Sequence, residues 1–419
     1  AATLLNADAL GGPAGVPDAE LLVGNPPFSS PLNSDASRVP ESPIAGLGPY
    51  TDTSARHLLA AVQSVPDGAV VCLVQPQSLL GARDAAKVRS AVMRDAELVG
   101  MWLTDEQPFE AAVQVCAPIL RRRTGAAPGH AGPRSAGVDL YWRDELPRRV
   151  AFDPSANWSP LLATALGVPD VQPLEPGNHL SIGDVANCTA GFREEFYALA
   201  EVATEAPQGS DGRAMTPAGW ACLVTSGMID PATIGWGRSE RSLGGRRMTH
   251  PVADPAAIDA VSARVGRWVR RRMVPKVLVA SQTRVLEAAL DRRGGTVPVT
   301  PVVSVEPLGG VVPSVPVEAL AAVLGAPSSS ARVALLSAGT GRSTRALRIT
   351  ASTLAGLPVP RDPGILAGLV AAWGDLEAAV AAGRDPSVAG ARIDDLLGAG
   401  DPSVLEWWSS RIPRGSPST

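Results

Sequence analysis

Residues 21–28 read Leu-Leu-Val-Gly-Asn-Pro-Pro-Phe, an apolar run that stops at Gly24 and continues as an Asn-Pro-Pro-aromatic tetrad. The apolar run predicts a short buried strand, and Asn25 follows directly on its carboxyl end. Pro26 and Pro27 have fixed φ angles and also restrict the residue before them, so the tetrad forms a rigid corner. Because Asn-Pro is common turn chemistry, an ordinary turn after a strand is one interpretation. A preorganised polar site is the other.

The tetrad has the chemistry to activate an aromatic amine, whose lone pair is delocalised into the ring. The side-chain oxygen of Asn25 and the main-chain carbonyl of Pro26 are neutral acceptors for the two N–H groups of such an amine. These hydrogen bonds strengthen as the lone pair leaves the ring plane, so they favour the transition state. Phe28 would stack on the flat face of the ring that carries the amine. The tetrad therefore predicts a clamp for a planar amine.

The tetrad resembles the catalytic motif of S-adenosylmethionine-dependent amino-methyltransferases, above all the DNA adenine-N6 class with a C-terminal target-recognition domain. Asp8, upstream of the tetrad, corresponds to the acidic residue of that family that binds the adenine of the cofactor. Residues 68–80 resemble the family's next core strand and the polar loop after it. Phe109, followed by residues 113–120, resembles the segment whose aromatic closes over the flipped base. The four features occur in the family's order.

The resemblance implies a site, a cofactor and a partner. The implied catalytic residues are the four of the tetrad, Asn25, Pro26, Pro27 and Phe28. S-adenosylmethionine would be bound by Asp8 and Asn25, and no metal is expected. The partner would be double-stranded DNA, whose target adenine is flipped out and stacked on Phe28 and Phe109. A Phe109 buried in the core is the alternative, because phenylalanine is among the most frequently buried residues.

One feature of the family has no counterpart in the sequence. The glycine-rich loop that wraps the methionine end of the cofactor lies before the acidic residue, and no such loop precedes Asp8. The chain therefore resembles the second half of a methyltransferase core. Three explanations stand: the reading frame is incomplete, a second polypeptide supplies the missing half, or the function no longer needs the cofactor.

Composition and charge bound the class of protein. The chain has 419 residues, 45% of them hydrophobic, which suffices for two or three domains and argues against wholesale disorder. A formal net charge of −4 implies that any DNA-binding surface is a local patch. The four cysteines are dispersed, which favours a reducing compartment and gives no support for structural zinc. We find no apolar run of membrane-spanning length and no signal peptide, so we expect a cytoplasmic protein without membrane partners.

The pattern from residue 18 to about residue 120 predicts an α/β fold. Helical spacing covers residues 54–65 and 83–95, and the apolar pattern of strands covers residues 69–74, 98–103 and 113–120. Strands that alternate with helices predict a mostly parallel sheet covered on both faces. Ligands of such sheets lie at the carboxyl ends of the strands, where Asn25 is expected. Residues 29–50, rich in Ser, Pro and Gly, would be a loop beside the site, either meeting DNA or forming a solvated insertion.

The patterns and the resemblance divide the chain into four parts. The parts are a partial Rossmann-like methyltransferase sheet at residues 1–145, an interdomain linker at 146–178, a mixed α/β DNA target-recognition domain at 179–360 and C-terminal helices at 361–419. The linker is assigned from its many prolines and weak periodicity. Within the recognition domain, residues 274–280 and 296–305 predict strands.

Residues 234–293 concentrate arginine on a chain that is acidic on balance. Gly244-Gly245 would give this stretch the flexibility to follow a phosphate backbone. Arginine is also well suited to bidentate contact with guanine. The residues predicted to contact DNA are Arg238, Arg241, Arg246, Arg247 and Lys276. The alternative is a solvated charged helix face, above all for residues 264–272.

The sequence thus predicts a site-specific DNA adenine-N6 methyltransferase of a restriction-modification or phage-defence system. It would transfer a methyl group directly from S-adenosylmethionine to the exocyclic amine of a flipped adenine. One alternative is a non-catalytic DNA-binding or specificity subunit, or a remnant of the enzyme. Another is an amino-methyltransferase that acts on RNA or on a protein glutamine, although the long arginine-rich half argues against the glutamine enzymes.

Overall fold

The computed structural model describes residues 19–28, 52–110, 113–125, 137–154, 157–172, 177–210, 212–310, 314–341 and 346–412. The chain divides into two compact units. The first unit comprises Ala1–Gly167 and Leu335–Ala346, and the second comprises Val168–Ala334 and Leu347–Thr419. The chain therefore leaves the second unit once, returns to the first, and then completes the second.

The first unit is built from one mixed sheet and the helices that pack on it, which confirms the α/β class. Its elements are β1 (Leu21–Gly24), α1 (Thr53–Ser64), β2 (Val70–Leu73), β3 (Gln75–Pro76), α2 (Ser78–Gly81), α3 (Ala86–Asp95), β4 (Ala96–Leu103), β5 (Val115–Arg122), β6 (Val138–Trp142), β7 (Arg148–Val150) and α4 (Ser159–Ala165). The strand order is β1-β2-β5-β4-β6-β7, and the short β3 pairs with β5.

The sheet is mixed and not mostly parallel as predicted, because β5 and β7 are antiparallel to their neighbours. β5 is antiparallel to both of its neighbours, β2 and β4. The pairs β1–β2 and β4–β6 are parallel, so these four strands point the same way. A parallel neighbour needs a crossover of a dozen or more residues, usually a helix, and the connection at residues 104–114 is too short for one.

The predicted helices of the first unit form where their caps and apolar faces require them. Asp52 is the N-cap of α1, and its carboxylate accepts a hydrogen bond from Ser54 N at 2.9 Å. Leu58, Leu59 and Val62 form the buried face of this helix, at the spacing seen in the sequence. The predictions of α1 and α3, and of strands at β2, β4 and β5, are confirmed.

The boundary between the units lies later than the sequence indicates. Residues 146–178 were expected to be a linker, but they contain β7 and α4, which belong to the first unit. β7 pairs with β6, and Leu161 and Leu162 of α4 are buried. Both elements are short and lie among prolines, so their periodicity is too brief to identify in the sequence.

The second unit contains short strands and helices in an α/β arrangement. Its strands are β8 (His179–Ser181), β9 (Ala186–Ala190), β10 (Thr204–Glu205), β11 (Ala221–Val224), β12 (Ile229–Asp230), β13 (Thr233–Ile234), β14 (Arg241–Leu243), β15 (Arg246–Met248), β16 (Pro251–Ala253), β17 (Lys276–Val279), β18 (Gln282–Thr283), β19 (Ala288–Asp291), β20 (Thr296–Pro298), β21 (Val303–Pro307), β22 (Leu347–Arg348) and β23 (Pro358–Pro360). The helices after Gly167 are α5 (Ile182–Val185), α6 (Arg193–Val202), α7 (Pro255–Val261), α8 (Ala263–Arg272), α9 (Val317–Gly325), α10 (Pro327–Ser337), α11 (Ala351–Ala355), α12 (Pro363–Ala381), α13 (Ser387–Leu396) and α14 (Pro402–Ser409).

Two sheets organise the second unit, with strand orders β19-β17-β21-β9 and β10-β16-β11-β20. The predicted strand at residues 274–280 is β17. The single strand predicted at residues 296–305 is instead two strands, β20 and β21, in different sheets. The prolines of this stretch, Pro298 and Pro301, interrupt the ladder, since proline donates no hydrogen bond.

Helix α12 is long and apolar enough to cross a membrane, judged by length and composition alone. The sequence was expected to hold no such run. In the structure Leu369, Trp373 and Leu376 of α12 are buried, and the helix packs against α9 and α13. One face of α12 is therefore covered by other helices of the second unit.

Candidate functional site

The tetrad begins where β1 lies closely against β2. Val74 N donates a hydrogen bond to Gly24 O at 2.9 Å. A Cβ atom on Gly24 would lie 3.1 Å from Leu73 Cδ2, so this position favours glycine. The next residue, Asn25, is exposed, and Phe28 at the end of the tetrad is half-buried. The structure therefore presents the Asn25 amide to solvent directly after a parallel strand.

The carboxyl ends of three strands meet at this edge of the sheet. Because β1, β2 and β4 point the same way, the residues that follow them lie at one edge. These residues are the tetrad after β1, 74–77 after β2 and 104–110 after β4. Phe109 belongs to the last group and is 40% exposed, so it is not the buried core residue of the alternative interpretation. The topology thus brings the tetrad and Phe109 to the same edge.

Of the two residues expected to bind the cofactor, the structure describes Asn25, and Asp8 lies outside the described residues. The loop expected at residues 29–50 also lies outside them. The strand predicted at residues 21–24 is present as β1, but it is not buried as expected, since Leu21 and Val23 are 60% and 67% exposed. Within the described residues β1 pairs only with β2. The described residues therefore include the four of the tetrad and Phe109, but only one of the two residues expected to bind the cofactor. Among them, no group of three His, Cys, Asp or Glu side chains is arranged to hold a metal ion.

Two buried glutamines at the same edge were not assigned a role from the sequence. Gln75 is fully buried and Gln77 is 2% exposed. They belong to the polar loop after β2, so the available signal was a Gln-Pro-Gln run directly after an apolar strand. Both side chains donate hydrogen bonds to main-chain carbonyls.

The predicted DNA-binding arginines of the second unit lie on and beside the hairpin β14–β15. Gly244 and Gly245 form its tip with φ angles of +59° and +80°, as a tight two-residue hairpin turn requires. Leu243 and Met248 are buried and anchor the hairpin in a hydrophobic cluster. The hairpin is therefore a defined ribbon, whereas the sequence suggested a flexible stretch.

The four arginines differ in their contacts. Arg241 Nε donates to Gly227 O at 2.6 Å, and Arg246 donates to Ala200 O near the end of α6. These two side chains are occupied within the protein. Arg247 Nε lies 2.5 Å from a carboxylate oxygen of Glu240, and the two side chains are 69% and 50% exposed. Arg238 is also exposed.

Lys276 does not lie on the surface. Its side chain is fully buried, and Nζ lies 2.7 Å from Asp291 Oδ2. A buried ammonium that is paired with a carboxylate cannot contact a phosphate without unfolding the strand, so the prediction of Lys276 as a DNA contact is wrong.

Helix α8 carries five arginines, and three of them form ion pairs. Arg264 pairs with Glu194 at 2.9 Å, and Arg270 pairs with Asp259 at 2.6 Å. Arg272 is nearly buried, with Nε 3.2 Å from Glu306. Three arginines of this helix are therefore paired with carboxylates inside the second unit.

A solved restriction-modification enzyme shares the fold of this chain. No family model and no curated protein matches the chain. The type IIL restriction-modification enzyme MmeI, solved in complex with DNA, is similar with a TM-score of 0.51 and 10% identity over 95% of this chain and 55% of that chain. The type IIG restriction endonuclease BpuSI matches with a TM-score of 0.32 and 10% identity over the same shares. The M protein of the type I restriction enzyme EcoKI matches with a TM-score of 0.24 and 18% identity over 30% and 26%.

The likeness to MmeI shows a shared fold. The chain spans 55% of the length of that enzyme, and the matching part there belongs to one longer chain. The comparison gives no support to a second polypeptide as a partner of this chain.

Proposed function

We propose that the chain is part of a restriction-modification DNA methyltransferase that transfers a methyl group from S-adenosylmethionine to the exocyclic amine of adenine. The observation that carries the proposal is the exposed Asn25, held in an Asn-Pro-Pro-Phe corner at the carboxyl end of β1. Phe109 at the same edge of the sheet supports it. The fold shared with MmeI agrees with this proposal.

The tetrad would activate the amine by accepting its two N–H groups. When bound, S-adenosylmethionine supplies a methyl group on a positively charged sulfur. Asn25 Oδ1 and the carbonyl of Pro26 would draw the amine out of conjugation, so that its lone pair is free to attack. Pro26 and Pro27 restrict the backbone, so little reorganisation is needed as the reaction begins.

The aromatic residues would hold the base outside the duplex. Flipping a base costs a few kcal/mol, on the order of a lost base pair and its stacking. Phe28 and Phe109 offer two faces on which the flipped adenine can stack. In the second unit, the exposed Arg238 and Arg247 would contact the phosphate backbone.

The test is methyl transfer by the protein as its host produces it. The protein is incubated with duplex DNA of mixed sequence and S-adenosylmethionine with a labelled methyl group, and the digested nucleosides are identified by mass spectrometry. We expect N6-methyladenine, and a loss of roughly 100-fold or more in kcat for Asn25→Ala. Asn187→Ala, which removes another exposed asparagine, is the matched control.

Other products of the reaction would support a different function. Methylated guanine in RNA or methylated glutamine in protein would support the related amino-methyltransferases instead. If calorimetry shows DNA binding but no binding of S-adenosylmethionine, and no methyl group enters DNA, the chain is a non-catalytic DNA-binding protein. An Asn25→Ala variant that retains full activity would contradict the proposed role of the tetrad.

A further inference from the structure

Gln75 and Gln77, which follow β2, make the same kind of contact with different partners. Gln75 Nε2 donates to Ser54 O at 3.1 Å and to Val74 O at 2.9 Å. Gln77 Nε2 donates to Thr104 O at 2.7 Å. Gln77 Nε2 also donates to Val115 O, at the start of β5, at 3.2 Å. Since carbonyl oxygens only accept hydrogen bonds, the orientation of both amides is determined.

The partners of Gln77 are the two ends of the segment that carries Phe109. Thr104 follows directly on β4, and Val115 is the first residue of β5. The main chain of Gln77 adds a third bond, from its N–H to Gln114 O at 2.8 Å. One buried residue therefore joins both ends of the connection between two adjacent antiparallel strands.

Other contacts hold the start of this segment, and Phe109 near its end is partly exposed. Asp105 Oδ1 lies 2.6 Å from a guanidinium nitrogen of Arg143. Glu106 N donates to Thr104 Oγ1 at 3.0 Å. Phe109, four residues beyond Asp105, remains 40% exposed at the same sheet edge as the tetrad. The segment is thus fixed at its base, where Gln77 supplies the buried donors.

We infer that Gln77 is a positioning residue that holds the segment 104–110 so that Phe109 is presented to the target base. The inference rests on the proposed function. Without the Gln77 amide, the carbonyls of Thr104 and Val115 lose a donor inside the protein, which loosens both ends of the segment. Phe109 would then be presented in several positions, and the base would be held less often in the geometry for transfer. The residues proposed to bind S-adenosylmethionine, Asp8 and Asn25, lie outside this segment, so we expect cofactor binding to be unchanged.

The first test is hydrogen exchange measured by mass spectrometry, which requires no activity. Gln77→Met keeps the length of the side chain and removes its donors. Gln75→Met is the matched control, because Gln75 is equally buried and donates to two carbonyls but contacts the start of α1. We expect exchange of residues 104–110 to rise roughly tenfold in Gln77→Met and to stay at the wild-type rate in Gln75→Met.

The second test separates kcat from KM for methyl transfer. We expect Gln77→Met to lower kcat by roughly 10- to 100-fold and to leave KM for S-adenosylmethionine within about twofold of wild type. If Gln77→Met does not fold, Gln77→Asn replaces it, since the shorter amide cannot reach both carbonyls.

The outcomes distinguish this inference from the function on which it rests. Unchanged exchange at residues 104–110 in Gln77→Met, or a kcat equal to that of Gln75→Met, overturns the role of Gln77. A wild-type protein that transfers no methyl group refutes the proposed function instead, and the exchange experiment still shows whether Gln77 holds the segment.

Discussion

Lys276 Nζ lies 2.7 Å from Asp291 Oδ2, and the two side chains, 0% and 6% exposed, face each other across the pair β17–β19. The same carboxylate accepts hydrogen bonds from Gly294 N and from both the N–H and the hydroxyl of Thr296. Burial alone would raise the pKa of Asp291, but Lys276 and Thr296 outweigh it and hold this pKa below its usual value. Burial lowers the pKa of the Lys276 ammonium against the opposing attraction of Asp291. The pair ties two strands to the loop that follows them.

Lys276→Met is expected to destabilise the second unit without changing its DNA binding. Removing one partner of a buried ion pair costs about 3 kcal/mol in free energy of unfolding, which denaturant titration measures. Because Lys276 contacts no solvent, the slope of DNA affinity against salt concentration should equal that of wild type. A shallower salt slope in a folded Lys276→Met variant would show that Lys276 contacts DNA.

Arg247→Ala is expected to change DNA binding, whereas Arg246→Ala is expected to change stability. Arg247 is exposed, and its surface ion pair with Glu240 is weak enough to be exchanged for a phosphate. Its loss should weaken DNA binding and reduce the salt slope by about 1. Arg246 donates to a carbonyl in the last turn of α6, so its loss should lower stability by up to about 1 kcal/mol and leave the slope unchanged. The reverse pattern in filter binding and thermal unfolding would contradict these assignments.

The two glycines at the tip of the hairpin are expected to tolerate alanine differently. Both have positive φ, so either substitution should cost about 1–2 kcal/mol through backbone strain. A Cβ on Gly244 would also lie 2.6 Å from Ala200 Cβ, whereas none lies within 4 Å of the position on Gly245. Gly244→Ala should therefore be the more destabilising variant in urea unfolding. Gly309→Ala, in open space, is the control and should change stability by less than about 0.5 kcal/mol.

Glu195 is expected to make the stability of the second unit depend on pH. Its side chain is fully buried, and burial raises its pKa from 4.5 to about 7 against the opposing hydrogen bond from Thr300. The folded state then retains a proton that the unfolded state has lost, so the free energy of unfolding falls as pH rises from 4.5 to about 7. The total change is up to about 3 kcal/mol.

Glu195→Gln isolates this contribution. The variant keeps an acceptor for Thr300 Oγ1 and cannot ionise, so its stability should depend less on pH in this range. Burial also raises the pKa of Glu287 to about 8 and of Asp394 to about 7, so the measured quantity is the difference between wild type and variant. Parallel pH profiles of the two proteins would show that Glu195 does not titrate in this range.

The sequence was most informative where local chemistry decides the structure. The strand that ends at Gly24, the capped helix α1 and strand β17 all follow from short patterns of apolar residues, caps and prolines. The exposure of Asn25 also agrees with its expected place after a strand end. Such features depend on neighbours within a few residues, which is what a sequence pattern records.

The sequence was least informative where a distant partner decides the contacts of a residue. Lys276 is a cation after a proline in the sequence, and only the fold shows that Asp291 buries it. Arg246 lies beside Arg247 in the chain, yet its contact is Ala200, 46 residues away. The direction of β5 likewise depends on which strands it joins. Local composition carries no record of such pairings.

The return of Leu335–Ala346 to the first unit constrains how the chain can be divided. Ser159 Oγ donates to Ala338 O at 2.7 Å, and a Cβ on Gly339 would lie 2.9 Å from Gln77 O, so this excursion fits closely into the first unit. A single recombination crossover near residue 168 would therefore combine Ala1–Gly167 of one protein with Leu335–Ala346 of another. Exchange of the second unit between similar proteins would succeed only where Leu335–Ala346 is inherited together with the rest of the first unit.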